Sequence, residues 1–377
     1  MPNIRPTAAA VIASVLTTGL AVTALAGVAG AQQATPAEPA RTTAYTPALV
    51  PKLSKVIARD LDAPWGMAFL PAGGALVAER DTGRIRRLDG KGKAHVVDRV
   101  PGVVAAGEGG LLGIAIASDF RQTRWVYAYF TSVTDNRIVR MRFKNGDLGR
   151  PDVVLKGIPK GFTHNGGRIA FGPDGMLYAG TGEAGNTSLS QNKKSLGGKI
   201  LRMTPAGKVP SNNPDKGSLV YSRGHRNVQG LAFDGQGRLF TAEFGQNTWD
   251  ELNLIKPGRN YGWPTVEGRA GDSRFVDPVA QWRTDVASPS GIAIVKGTVF
   301  MAGLRGARLW RIQIGSLRPD GIPRARAEDY FTGRFGRLRT VMAAPDGSLW
   351  LTTSNTDGRG NPSSSDDRVL RLRLRAE

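Results

Sequence analysis

Histidine is scarce in this chain, three in 377 residues, and one of them sits in the phrase Thr163-His164-Asn165-Gly166-Gly167-Arg168, just ahead of an apolar strand-like run. An imidazole titrates nearest neutrality and is a natural general base for taking a hydroxyl proton. Taken alone, His164 serves equally well as a loop histidine hydrogen-bonded for structure. A second phrase, Gly224-His225-Arg226-Asn227-Val228-Gln229-Gly230, offers a guanidinium fork and two amides. That donor set suits quinone, carbonyl or carboxylate oxygens, or a brace between neighbouring elements.

Three further segments add charge. Arg337 and Arg339 are two residues apart, so an extended backbone turns both to one face, where they repel unless an anion lies between them. Arg305, in Gly303-Leu304-Arg305-Gly306, adds another cation. Glu108, in a glycine-rich loop, can hydrogen-bond a polyol or stand as a solvated carboxylate. That loop precedes a strand and lacks the Lys-Ser/Thr ending of a phosphate-binding loop. Finally, Glu243 to Glu251 combines carboxylates, an amide and a flexible backbone, a hard-oxygen set that suits Ca²⁺ without matching the EF-hand spacing.

These segments are far apart, so something must gather them. One phrase recurs six times: a short apolar run, usually a Pro/Asp/Gly turn, then a second apolar run. It begins at Trp65, Gly113, Arg168, Gly230, Gly291 and Thr340. Proline presets φ and glycine supplies the positive φ such a turn needs. A third strand follows each copy, at Arg84, Arg137, Lys199, Glu251, Leu309 and Val369. The copies start roughly 50 to 60 residues apart, slightly more than one four-stranded propeller blade requires. The pattern predicts a six-bladed β-propeller of four-stranded antiparallel blades, all-β, with the loops entering the inner strands gathered at one mouth. His164, Arg226, Arg305 and the Arg337/Arg339 pair should then meet around one anion.

Composition narrows the class. There are no cysteines, which excludes disulfides, thiolate metal sites and cysteine nucleophiles. Residues 1–31 read as an export signal, with an apolar stretch from Ala8 to Val28 and the small-x-small pattern Ala29-Gly30-Ala31. Residues 32–46 read as a disordered lead-in and residues 47–377 as the propeller domain. The expected location is therefore outside the cytoplasm, with no stable membrane insertion after cleavage. A net charge of +20 invites nucleic acid as a partner, but the basic residues are scattered. In Arg371-Leu372-Arg373-Leu374-Arg375 they alternate with apolar residues, which marks solvent-facing strand positions and not a basic arm.

Read together, His164-Asn165-Gly166-Gly167-Arg168, Leu196-Gly197-Gly198-Lys199-Ile200-Leu201-Arg202, Gly224-His225-Arg226-Asn227, Asp250-Glu251-Leu252-Asn253 and Asn260-Tyr261-Gly262-Trp263-Pro264 resemble the glucose/sorbosone dehydrogenase family. Within it the chain looks most like the soluble aldose sugar dehydrogenases that use pyrroloquinoline quinone (PQQ). The resemblance implies oxidation of an aldose at C1 to its lactone, with electrons passed to an external acceptor. It makes His164 the general base and Arg226 the group stabilising developing charge. It places Asn227 and Gln229 on the cofactor, with Arg305, Arg337 and Arg339 pairing with its carboxylates. Glu108 and Thr163 fall on the substrate side, where the glucose-specific members carry Gln and Asp. Gly245 and Gln246 fall where backbone carbonyls hold a catalytic Ca²⁺. Asp250 and Glu251 stay open between a structural Ca²⁺ site and a dimer contact. Two other readings stand beside this one: a Ca²⁺-dependent propeller hydrolase of the lactonase type, and a non-catalytic sugar- or protein-binding propeller.

Overall fold

The computed structural model describes residues 44–89 and 94–377. The export signal and the lead-in through residue 43 lie outside the described residues. Thr46, which the sequence assigns to the lead-in, is already anchored: its N–H donates to the Ile314 carbonyl at 2.9 Å and its own carbonyl accepts from Gln313 at 2.7 Å. Among the described residues no helix is long and apolar enough to cross a membrane.

The first strand, β1 (Leu49–Ala58), precedes the first blade, which runs β2 (Pro64–Phe69), β3 (Ala75–Glu79), β4 (Arg84–Leu88) and β5 (Ala94–Arg99). The second blade comprises β6 (Leu111–Ile116), β7 (Trp125–Thr131), β8 (Asn136–Lys144) and β10 (Asp152–Ile158), with the two-residue β9 (Asp147–Leu148) beside β8 and a one-turn helix α1 (Phe120–Thr123). The third holds β11 (Ile169–Phe171), β12 (Leu177–Gly180), β13 (Lys199–Met203) and β14 (Val220–Arg223), with α2 (Ser188–Gln191) in its second turn. In the fourth are β15 (Val228–Phe233), β16 (Leu239–Glu243), β17 (Trp249–Ile255) and β18 (Ala280–Arg283). The fifth runs β19 (Pro289–Val295), β20 (Thr298–Gly303), β21 (Arg308–Leu317) and β22 (Pro323–Tyr330). The sixth orders as β23 (Leu338–Ala343), β24 (Leu349–Thr353), β25 (Val369–Ala376) and then β1, so the N-terminal strand completes the last blade. The protein is a six-bladed β-propeller, and this pairing of first and last strands ties the ring shut.

Its core is a ring of interfaces between blades. Ile85, Leu111 and Val126 pack between the first two blades, and Leu309, Leu349 and Leu370 between the last two. Near the axis the inner strands approach so closely that only small residues fit. A Cβ on Gly66 would lie 2.5 Å from the Leu112 oxygen, and one on Gly113 2.2 Å from the Gly167 oxygen. The next blade carries Arg168 at the equivalent position. Its side chain crosses the axis: Nε donates to the Gln229 carbonyl at 2.8 Å, Nη2 to Thr340 Oγ1 at 3.0 Å, and its Cζ lies 4.2 Å from the centre of the Trp65 ring. Burial pulls this guanidinium down to about 9. Arg168 also lines a channel cavity of about 390 Å³ bounded by all six inner strands. It therefore stands between that cavity and the loops at the other end.

Candidate active site

His164 has φ of 56°, a left-handed conformation that a non-glycine residue holds only when its surroundings impose it. Those surroundings are visible. Asn165 next to it is buried and accepts from Asn136 at 3.0 Å and from the Gly161 N–H at 3.0 Å. The Gly166 N–H donates to Asn227 Oδ1 at 2.9 Å, and the His164 N–H to Glu108 Oε2 at 3.0 Å. The imidazole Nδ1 is hydrogen-bonded to Glu183 Oε1, and Glu183 is almost completely buried. A carboxylate on Nδ1 makes that nitrogen the donor and leaves Nε2 as the free base. Sequence reasoning left Glu183 without a role. Its signal is local: it lies just beyond the end of β12, beside the loop that carries His164.

The Arg226 loop is stitched to the same place, because the Glu183 N–H donates to the Arg226 carbonyl at 2.9 Å. The Arg226 guanidinium is buried, grips the side-chain oxygen of Gln246 through Nε at 2.9 Å and also through Nη2, and lies 5.4 Å from the Trp263 ring. Burial lowers its pKa against the pull of Glu183 and Glu108. Underneath, the Arg226 N–H donates to Glu243 Oε2 at 2.9 Å, and Glu243 also holds buried His225 at 2.8 Å. Asn227 is fully buried, and its Nδ2 has no hydrogen-bond partner among the described residues. An orphaned amide donor of this kind calls for an acceptor from outside the chain.

The paired arginines do have an anion between them, and it belongs to the chain. Asp357 accepts from Arg337 Nε at 3.0 Å and Nη2 at 2.9 Å, and from Arg339 Nη2 at 3.1 Å. Against the cost of burial, Arg339 and then Arg337 hold the Asp357 carboxyl below the usual carboxylate range. Burial brings Arg339 down to about 10. Its Nη1 also donates to Gln229 Oε1 at 3.0 Å, while the Arg359 guanidinium pairs with Glu108 at 3.1 Å. Glu108, Gln229, Arg337, Arg339, Asp357 and Arg359 line one pocket. Loops from several blades thus converge at one mouth, joined from His164 through Glu108 and Arg359 to the arginine pair.

Other predicted residues stand apart from that chain of contacts. Arg305 is exposed and makes no ion pair among the described residues, although Leu304 beside it lines the pocket. Thr163 is half-buried, with no side-chain hydrogen bond among the described residues. Asp250 and Glu251 are adjacent on β17 and so face opposite sides of the blade. Asp250 accepts the Gly245 N–H at 2.9 Å and the Ser288 N–H at 2.6 Å, whereas Glu251 accepts from Gly268 at 2.7 Å and Asn253 at 2.9 Å. Burial pushes Asp250 up to about 7, and burial with the Glu243 carboxylate pushes Glu251 upward. The turn holding Gly245 and Gln246 is organised by Glu267, unremarked in the sequence, whose Oε1 accepts the N–H groups of residues 246, 247, 248 and 249 at 2.7 to 3.0 Å. Among the described residues no three His, Asp or Glu side chains cluster as metal ligands, so an ion at this turn needs carbonyl oxygens.

Comparison with known proteins identifies relatives of the chain. The family model described as glucose/sorbosone dehydrogenase matches residues 61–366. The aldose sugar dehydrogenase YliI of Escherichia coli is 30% identical over 341 residues, covering 81% of this chain and 90% of that protein. A solved structure of the PQQ-bound aldose sugar dehydrogenase from Streptomyces coelicolor is 57% identical, covers 88% of this chain and 100% of its own, and superposes with a TM-score of 0.84. Quinoprotein glucose dehydrogenase B of Acinetobacter calcoaceticus is 34% identical over 258 residues, 59% of this chain and 54% of that one.

Proposed function

We propose, from the premise that this chain belongs to the glucose/sorbosone dehydrogenase family, that it is an exported oxidoreductase that takes two electrons from C1 of an aldose, using PQQ and Ca²⁺ and passing the electrons to an external acceptor. The observation that carries the reading is the His164–Glu183 pair, stitched to the loop that presents Arg226 and the unpartnered Asn227 amide. When bound, the quinone supplies the two-electron oxidant, and Ca²⁺ supplies a Lewis acid beside it.

The chain's own residues account for the rest. His164 Nε2 takes the proton of the C1 hydroxyl as the C1 hydrogen leaves with its electron pair, so a C=O bond forms at C1. Glu183 holds the imidazole in the tautomer that leaves Nε2 unprotonated and stabilises the imidazolium that results. Arg226 and the Asn227 Nδ2 donor would hold acceptor oxygens of the bound group, and their burial would strengthen both interactions. Arg337 and Arg339 have two fixed guanidinium groups for one internal carboxylate, which leaves capacity for the carboxylates of a planar tricarboxylate. Arg305, exposed beside the pocket-lining Leu304, is the candidate for a third such contact. The carbonyl groups of Gly245 and Gln246 would hold Ca²⁺, on a turn braced by Glu267 and by the Arg226 contact to Gln246. Glu108 and Thr163 border the substrate side, and Asp250 and Glu251 remain candidates for separate carboxylate contacts and not for one shared ion.

The test is a titration of ligand-free protein with PQQ and Ca²⁺, followed by dye reduction with a panel of aldoses and of lactones. Binding in the micromolar range is expected. It should be lost in Arg337→Ala/Arg339→Ala, and retained without turnover in His164→Ala. Absence of PQQ binding at micromolar concentration, or turnover of lactones in place of aldoses, refutes the assignment.

A further inference from the structure

The basic residues that look scattered in the sequence are brought together at one place by strand register. β1 and β25 form the outer pair of the sixth blade. Lys52 lies directly opposite Arg373, Lys55 opposite Arg371, and Val50 opposite Arg375. Alternation turns the intervening pairs, Leu53 with Leu372 and Val56 with Leu370, to the other face, where Leu370 and Leu372 are fully buried. Five cations therefore share one face of a two-stranded ribbon. Successive arginines are about 6.7 Å apart along the strand, and partners about 5 Å apart across it.

Lys52, Lys55, Arg373 and Arg375 are exposed, and Arg371 reaches Asp346 at 2.5 Å. The side chains of Lys52, Arg373 and Arg375 make no hydrogen bond or ion pair among the described residues. Like charges directly opposite each other on a ladder destabilise it. Packing does not require them, since the apolar face does that work, and the fold leaves the arrangement unexplained. A polyanion explains it. The exposed side chains of this face include no aromatic ring on which bases could stack. Nor do they include a large apolar group that would enter a bilayer; Val50 is half-buried.

We propose that the β1–β25 ribbon is a docking surface for a linear polymer with a phosphodiester backbone, recognised through its repeating charge alone. The proposal is independent of the oxidoreductase reading, because none of these residues touches the mouth of the channel.

The experiment measures fluorescence anisotropy of labelled linear poly(glycerol phosphate) with the propeller-containing protein, over a range of salt. Lys52→Glu/Arg373→Glu/Arg375→Glu should weaken binding by more than tenfold. It should also reduce the slope of log K against log salt by about 2, the value for three lost contacts at about 0.7 each. Lys208→Glu/Lys216→Glu/Arg283→Glu, exposed cations elsewhere with the same change in net charge, should stay within about threefold of the parent. Should the Glu triple fail to fold, the Gln triple at positions 52, 373 and 375 should still bind several-fold less tightly, with a thermal midpoint no lower than the parent's. The proposal is overturned if the parent protein does not bind at about 0.1 M salt, a concentration at which several phosphate contacts still hold. It is overturned equally if the control triple loses as much as the test triple, if oligo-dT is strongly preferred to the base-free polymer, or if phosphatidylglycerol vesicles are bound through these residues and the polymer is not.

Discussion

Asp357→Asn probes the electrostatics of the mouth most directly. The carboxylate side chain is 2% exposed and sits between guanidinium groups that are 16% and 6% exposed, so solvent screens the three charges little. It accepts from both arginines and also from Ser354 Oγ at 3.1 Å and the Arg359 N–H at 3.0 Å. Removing one partner of a buried ion pair costs about 3–5 kcal/mol, since the remaining charge is left uncompensated. Asparagine keeps one acceptor oxygen, which places the expected loss at the lower end, about 3 kcal/mol, or roughly a hundredfold in the folding equilibrium.

The loss has a pH signature. The folded-state pKa of Asp357 is depressed, so its contribution is fully present above the unfolded value of about 3.9 and disappears as pH falls through the lower folded value. Urea unfolding of parent and variant should therefore differ by about 3 kcal/mol at pH 7 and pH 5, and the gap should close in the acid range below about pH 4. Citrate, a tricarboxylate, should stabilise the variant more than the parent at pH 7, because it replaces the missing negative charge between Arg337 and Arg339. A gap under about 1 kcal/mol at pH 7, a gap that persists unchanged to pH 3, or equal stabilisation by citrate would refute the reasoning.

Two further outcomes test the parts that position the site. Glu183→Gln offers the His164 ring an amide in place of a carboxylate and destabilises both the required tautomer and the imidazolium; turnover should fall about 10²–10³-fold with PQQ affinity unchanged, and a loss under fivefold would remove Glu183 from the mechanism. Lys199 is fully buried, drawn down to about 7 by burial, and donates to the carbonyls of Leu189 at 2.6 Å, Ser190 at 3.1 Å and Gly197 at 2.6 Å. Lys199→Met should speed amide exchange by about tenfold or more in residues 188–198 and 224–227, since the Gly224 N–H also bonds to the Ser190 carbonyl, while β23 to β25 exchange as before. Uniform acceleration across all blades would show a general loss of stability and no local clamp.

Three strands of every blade could be read from the sequence because each alternates or runs apolar over a few residues between turn residues, a local property. His164, Arg226, Asn227 and the arginine pair were legible for the same reason: each lies in a short phrase immediately before an inner strand. What escaped was non-local. Two guanidiniums at a spacing of two require an anion, and the sequence argument named only a ligand, whereas the structure also brings in Asp357, roughly twenty residues on in a loop with no motif of its own. Glu183 and Glu267 escaped likewise, each a lone carboxylate whose importance lies in what it touches. Asp250 and Glu251 looked like one ligand set because they are adjacent, yet adjacency on a strand is what separates them.

The pairing of β1 with β25 joins residues more than three hundred positions apart, and no local pattern announces it. The sequence therefore showed Arg371, Arg373 and Arg375 as ordinary solvent-facing alternation, with Lys52 and Lys55 unrelated to them. Closing the ring is what sets lysine opposite arginine. The apolar face of that ribbon, with Leu370 and Leu372 buried, supplies the energy of closure, while the charged face opposes it. The two faces act in opposite directions: neutralising the cations should relieve repulsion without loosening the ring, whereas truncating Leu370 or Leu372 should loosen the ring and, with it, the placement of lysine opposite arginine.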